Sequence, residues 1–184
     1  MGERMPHPDA VDEGSASPSD EAAALVAELT DRRLTIALAE SLTGGLLTAA
    51  LVDVPGASVV VNGAVVAYAT PLKNSLLDVD ADLLAERGAV DPEVARRMAD
   101  RVRVVCAVDG RPADLGIATT GAAGPDPQDG REPGTVYVGV ASRRGIRSLE
   151  LHIPGDRQQV RRATVAAAIA AARDELRSLA GTVE

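Results

Sequence analysis

A serine in this sequence lies where acyl-transfer chemistry could take place. Ser41 follows the apolar run 34–39 and precedes Gly44-Gly45, an arrangement typical of a turn between a buried strand and a helix. A serine hydroxyl in such a turn can act as a nucleophile whose oxyanion is held by backbone N–H groups. The same position suits a serine that only caps the following helix, so this segment alone leaves both interpretations open.

A serine nucleophile needs a base, and the sequence offers a lysine for that role. Lys73 is the only lysine, and Tyr68 lies shortly before it in the chain. His7 lies near the N-terminus and His152 in a predicted outer strand, where an ordinary surface role is favoured. A lysine becomes a base near neutral pH only when its surroundings lower its pKa, so the hypothesis requires a buried Lys73. A solvated lysine on a helix is the alternative.

A third segment could present polar groups to a ligand. Residues 119–125 lie at the end of the predicted strand 115–119 and combine a pair of threonine hydroxyls with a Gly-x-x-Gly-Pro loop, whose N–H groups can bind a phosphate or a carbonyl. The sequence contains neither a Walker phosphate loop nor a dinucleotide-binding Gly-x-Gly-x-x-Gly. Arg157, Arg161 and Arg162 lie near the predicted start of the last helix, where they either meet an anionic group or face water.

The elements that must position these segments alternate between strands and helices. We predict helices over 19–33, 43–52, 71–77, 80–87, 91–106 and 155–179, and strands over 34–39, 62–68, 115–119, 135–142 and 146–153. This order predicts an α/β fold, a single-domain three-layer sandwich with a mixed β-sheet and helices on both faces. Because ligands collect at the carboxyl ends of strands in such sheets, we expect the three segments to meet there.

Composition excludes several classes of function. The formal net charge of −8 argues against binding to nucleic acid, and the absence of Phe and Trp argues against an aromatic stacking surface. No apolar stretch is long enough for a membrane span, and no secretory signal is visible, so we expect a cytoplasmic protein. The single Cys106 can form neither an internal disulfide nor a zinc site on its own. Residues 1–20 are acidic and predicted to be a disordered tail before a domain over 21–184.

Six motifs occur in order along the predicted domain. They are Ala39-Glu40-Ser41-Leu42-Thr43-Gly44-Gly45, Val65-Val66-Ala67-Tyr68 followed by Lys73, Gly88-Ala89-Val90, Thr120-Gly121-Ala122-Ala123-Gly124-Pro125, Gly134-Thr135-Val136 and Gly155-Asp156-Arg157. Together they resemble the C-terminal domain family of the competence/damage-inducible protein CinA, over about residues 21–180. The molybdopterin-binding-like domain often fused in that family is missing, so we expect a stand-alone amidohydrolase unit.

The resemblance implies the hydrolysis of nicotinamide mononucleotide to nicotinate mononucleotide and ammonia, without a metal or a cofactor. It implies that Ser41 is the nucleophile, that Lys73 accepts its proton, and that Tyr68 and Thr120 complete the hydrogen-bonded set. The positions carried over as substrate-binding residues are Glu40, Thr43, Gly44, Gly45, Gly121, Gly124 and Arg157. The small-molecule nucleotide would be the partner of the protein, which the resemblance also implies to be a homo-oligomer.

In the mechanism that we expect, Ser41 attacks the carboxamide carbon and amides near residues 43–45 hold the oxyanion. Lys73 then protonates the leaving ammonia, and water releases the acid.

The loop 126–130 departs from the family, which usually has a run of glycines there, and the carboxylates of Asp126 and Asp129 would oppose a substrate phosphate. This departure favours a second hypothesis, a nucleotide-binding regulatory module without turnover. An amidase for another small amide is a third hypothesis that uses the same residues.

Overall fold

The computed structural model describes residues 17–180, and the strands in that part of the chain form one mixed sheet. The strands are β1 Ile36–Glu40, β2 Val61–Val66, β3 Leu115–Gly121, β4 Thr135–Ser142 and β5 Gly145–His152. Their spatial order is β2-β1-β3-β4-β5. Strand β1 pairs in parallel with β2 and β3, whereas β4 runs antiparallel to β3 and to β5. The predicted mixed sheet is therefore confirmed.

Helices cover both faces of this sheet, as the sequence predicted. The helices are α1 Pro18–Arg32, α2 Leu46–Val52, α3 Thr70–Leu77, α4 Ala81–Arg87, α5 Pro92–Val105 and α6 Arg157–Ala180, with a 3₁₀ turn at Ala57–Val59. Helices α1, α2 and α6 lie on one face, and α3, α4 and α5 on the other. The single-domain three-layer sandwich is confirmed, and none of the helices within residues 17–180 has the length and apolarity needed to cross a membrane.

The core consists of two aliphatic layers separated by the sheet. Large side chains such as Leu38 and Ile117 fill the layer under α1, α2 and α6. Small residues dominate the α5 side, where a Cβ on Gly116 would lie 1.9 Å from the Ala99 carbonyl oxygen and one on Gly139 would lie 2.0 Å from that of Ala95. Since only glycine avoids these clashes, α5 packs closely on the sheet, and α3 packs in the same layer.

Helix α1 begins at Pro18, before the predicted start of the domain at residue 21. Residues 1–16, which form most of that tail, lie outside the described residues. Ser17 caps α1 because its hydroxyl accepts from the Asp20 N–H, while the Asp20 carboxylate accepts from the Ser17 N–H. Residues 18–20 therefore form the first turn of α1 and do not belong to the tail.

Candidate active site

The carboxyl ends of the three parallel strands bring the predicted segments to one edge of the sheet. Ser41 directly follows β1, and its N–H donates to the Thr119 carbonyl of the neighbouring β3 at 2.9 Å. Beyond β2, the chain turns into α3, which carries Lys73. The side chains of both segments therefore meet beside the end of β3, as expected for an open α/β sheet.

Ser41 and Lys73 are in direct contact at this edge. The Lys73 Nζ donates to the Ser41 Oγ at 3.0 Å and to the Ala67 carbonyl at 2.8 Å. The lysine is 0% exposed and the serine 7% exposed. Burial lowers the pKa of Lys73 from 10.5 to about 8, although the negative charge of Asp129 acts in the opposite direction. About a tenth of the amine is therefore neutral at pH 7, and a neutral amine can accept the serine proton.

Glu40, which we expected to bind substrate, is used by the protein itself. Its carboxylate is fully buried. One oxygen accepts from the N–H groups of Gly45 and Leu47 at 2.9 and 3.1 Å, and the other from that of Thr48 at 2.8 Å. These groups would otherwise lack partners at the start of α2, so Glu40 caps this helix and fixes the turn that contains Ser41. Its buried and occupied oxygens leave no room for the expected substrate contact.

Gly44 and Gly45 shape the turn rather than offering their amides to a ligand. Their φ angles are 59° and 96°, a left-handed conformation that favours glycine. The predicted helix 43–52 consequently begins later, at Leu46. The Gly44 N–H donates to the Ser41 carbonyl and the Gly45 N–H to Glu40. Of the amides expected to hold an oxyanion, both glycine amides are therefore already engaged.

Two neighbouring amides of the turn have no acceptor. Within residues 17–180, neither the Leu42 N–H nor the Thr43 N–H makes a hydrogen bond. The carbonyls of the same residues are held by Arg161 of α6, whose Nε and Nη2 donate to them at 2.9 and 2.8 Å. The Thr43 hydroxyl lies 2.7 Å from that of Thr119, and both are buried. The backbone of the turn is thus fixed, and these two N–H groups belong to buried residues and lack an acceptor within residues 17–180.

Tyr68 and Arg157 form a separate, exposed pair. Arg157 donates to the Tyr68 hydroxyl at 2.7 Å and to the Gly124 carbonyl at 3.0 Å. Tyr68 is 58% exposed and makes no hydrogen bond to Ser41 or Lys73. The hydrogen-bonded set that we expected is therefore not closed through Tyr68, and Arg157 instead presents a cation near the third segment.

Thr120 likewise lies outside the expected set. Its hydroxyl donates to the Ala89 carbonyl at 2.6 Å, so it ties the end of β3 to the segment before α5. Successive residues of a strand face opposite sides, which is why Thr119 contacts the turn and Thr120 does not. Gly121 serves packing, because a Cβ there would lie 2.7 Å from the Thr135 carbonyl oxygen.

Asp129, which the sequence did not assign to this site, lies on a loop that folds back toward it. Its carboxylate accepts from the N–H groups of Ala89 and Val90 at 2.7 and 3.2 Å. The available signal was the pair Asp129-Gly130, which is typical of a two-residue hairpin turn. Both residues have positive φ angles, 52° and 70°, and the loop folds back on itself as such a turn requires.

The chemistry available at this edge is that of a hydroxyl nucleophile next to an amine base. Arg157 is exposed and can receive an anionic group of a ligand. Within residues 17–180, no group of three or more His, Cys, Asp or Glu side chains is arranged to hold a metal ion.

Sequence comparisons identify relatives of this chain. A family model described as the CinA C-terminal domain matches residues 19–176. A CinA-like protein from Frankia casuarinae is 44% identical over 153 residues, which cover 83% of this chain and 34% of the relative. A putative competence-damage inducible protein from Geobacillus kaustophilus is 46% identical over 134 residues, which cover 72% of this chain and 31% of the relative. The chain thus spans about a third of the length of these curated relatives.

Solved structures share the fold described above. A competence-damaged protein (CinA) superfamily protein from Klebsiella pneumoniae matches with a TM-score of 0.82 and 28% identity, over 89% of this chain and 99% of that one. Another from Enterobacter cloacae matches with a TM-score of 0.82 and 26% identity, over 96% of this chain and 99% of that one. The resemblance inferred from the six sequence motifs is therefore confirmed.

Proposed function

Because the chain belongs to the CinA C-terminal domain family, we propose that it is a metal-independent amidohydrolase that converts nicotinamide mononucleotide to nicotinate mononucleotide and ammonia. The observation that carries this proposal is the 3.0 Å contact between the Lys73 Nζ and the Ser41 Oγ, two buried groups at the end of a parallel strand. A buried lysine with a pKa of about 8 is suited to proton transfer, whereas an exposed lysine is not.

In the first half of the proposed reaction, neutral Lys73 accepts the proton of Ser41 while the serine oxygen bonds to the carboxamide carbon. The carbonyl oxygen becomes an oxyanion, and the free N–H groups of Leu42 and Thr43 stabilise it. Protonated Lys73 then gives its proton to the leaving nitrogen. The carbon–nitrogen bond breaks, ammonia departs, and an ester joins Ser41 to the nicotinoyl group.

In the second half, water attacks the ester carbon. Lys73 takes one proton from the water and returns it to the departing serine oxygen, so that both side chains recover their starting states. Arg157 is exposed close to the Gly124 carbonyl and supplies the charge that binds the phosphate. Asp126 and Asp129 disfavour a phosphate on their own loop, which is consistent with a phosphate position nearer to Arg157.

The test measures ammonia release from nicotinamide mononucleotide in the presence of a chelator. We expect the native protein to remain active, and Ser41→Ala and Lys73→Arg each to lose at least about a hundredfold of kcat/KM. Lys73→Arg is the sharper variant because arginine keeps the charge but does not release its proton. Ser75→Ala, which changes an exposed serine of α3, is the matched control and should retain activity.

Three outcomes would contradict the proposal. Near-normal turnover by Ser41→Ala or Lys73→Arg, with folding verified by circular dichroism, would refute the assigned roles. Calorimetric binding of the mononucleotide by the native protein without ammonia release would instead favour the nucleotide-binding module. Faster ammonia release from a different small amide would identify another substrate for the same residues.

A further inference from the structure

The Asp129 side chain is held in a defined position beside the proposed active site. Its Oδ2 accepts from the N–H groups of Ala89 and Val90. The fit is close, because a Cβ on Gly88 would lie 2.5 Å from the Asp129 side chain. Ala89 is itself tied to β3, since its carbonyl accepts from Thr120. The carboxylate is thus fixed relative to the strand end that borders Ser41.

This carboxylate has one oxygen without a hydrogen bond within residues 17–180, and its negative charge acts on Lys73. Within residues 17–180, the Asp129 Oδ1 makes no hydrogen bond. The charge of Asp129 acts on the Lys73 amine, whose pKa it raises against the effect of burial. When Lys73 releases its proton to become a base, the positive charge that interacts with this carboxylate disappears. A cation on the substrate would then restore the charge balance.

We propose that Asp129 determines specificity by favouring amides attached to a positively charged ring, an N-substituted pyridinium carboxamide, over amides on a neutral ring. This inference rests on the proposed function, and it assigns to Asp129 the recognition of the ring charge. The substrate would be bound with its cationic ring toward Asp129 and its anionic phosphate toward Arg157. Such an arrangement matches a ligand that carries both charges at opposite ends.

The experiment compares nicotinamide mononucleotide with its 1,4-dihydropyridine form, whose ring is neutral while the carboxamide, ribose and phosphate are retained. The quantity of interest is the ratio of their affinities, because effects common to both ligands cancel. Asp129→Asn removes the charge and keeps an oxygen that can accept from Ala89 and Val90. Asp126→Asn removes an equal charge from an exposed position on the same loop, and serves as the matched control.

Calorimetry in the Ser41→Ala background measures both dissociation constants without turnover. We expect Asp129→Asn to lower the preference for the cationic ring about fivefold, and Asp126→Asn to leave it within about twofold. In the Ser41→Ala protein that retains Asp129, higher salt should also lower the preference for the cationic ring. An unchanged ratio in Asp129→Asn, an equal fall in Asp126→Asn, or binding of neither ligand would overturn the inference. A different result would refute the proposed function: the native protein would bind the cationic ligand but release no ammonia.

Discussion

Replacing Lys73 by methionine should change how the stability of the protein depends on pH. Lys73 is the only lysine in the sequence, and its side chain is 0% exposed. Methionine has a similar length and no charge, so it can occupy the same space without titrating. The hydrogen bonds of Lys73 to Ser41 and Ala67 are lost in the variant, which shifts the free energy of unfolding by an amount that we expect to be constant with pH.

The direction in which the free energy of unfolding changes with pH follows from the lowered pKa of Lys73. Folded Lys73 releases its proton near pH 8, whereas the unfolded side chain releases it near pH 10.5. Between these values the unfolded state binds more protons, so the free energy of unfolding of the native protein rises with pH. Below pH 7 the buried charge destabilises the folded state by roughly 3 kcal/mol. Of this penalty, roughly 2 kcal/mol should be relieved between pH 7 and pH 9.5.

The assay is urea unfolding of the native protein and of Lys73→Met at several pH values between 7 and 9.5. The stability of the native protein minus that of the variant should increase by roughly 2 kcal/mol over this range. Contributions from Cys106 and the tyrosines cancel in the difference. Ser41→Ala keeps the buried amine and should retain the native pH dependence. A difference that stays constant with pH would refute the reasoning, because it would mean that folding leaves the pKa of Lys73 unchanged.

Three further predictions concern the site and the layer behind it. Glu40→Gln should lower the free energy of unfolding by roughly 2–4 kcal/mol, since an amide NH₂ replaces a carboxylate oxygen that accepts from backbone N–H groups. An effect no larger than that of the control Glu86→Gln, at an exposed position, would contradict this prediction. The kcat/KM for ammonia release should rise about tenfold per pH unit below pH 8 and level off above pH 8, because Lys73 acts in its neutral form. A profile that is flat from pH 6 to 9 would contradict this prediction. Gly116→Ala should destabilise the protein by roughly 3 kcal/mol, because the new methyl group meets the Ala99 carbonyl oxygen; an unchanged melting temperature would show that α5 can move away.

The fold could be predicted from the sequence because the signals that begin and end its strands and helices are local. The apolar runs 34–39 and 115–119 are bounded by polar and glycine-rich segments, and their composition predicts buried strands. Parallel strands end at one edge, which is why the segments of Ser41 and Lys73 could be expected to meet. The start of α2 was placed too early because the sequence shows that glycines are present but not which φ angles they adopt.

The finer contacts of the site could not be predicted, because they depend on side-chain directions. Glu40 stands in a motif beside Ser41, yet its side chain lies on the opposite face of β1 from the serine and turns toward α2. Thr120 was expected to join the Ser41 set, but a neighbouring loop offers its hydroxyl an acceptor. Asp129 is distant in sequence from Lys73, and only the folded loop brings its charge near the amine.

The proposed reaction requires a buried Lys73 amine whose pKa is lowered enough for it to act as a base. Because the chain contains a single lysine, labelling with ¹³C,¹⁵N-lysine gives one set of side-chain NMR signals, which can be followed as a function of pH. We expect the chemical shift of its Cε to titrate with a midpoint of about 8 in the folded protein. A midpoint near 10.5 would contradict the account, since that amine would remain protonated when the serine must lose its proton.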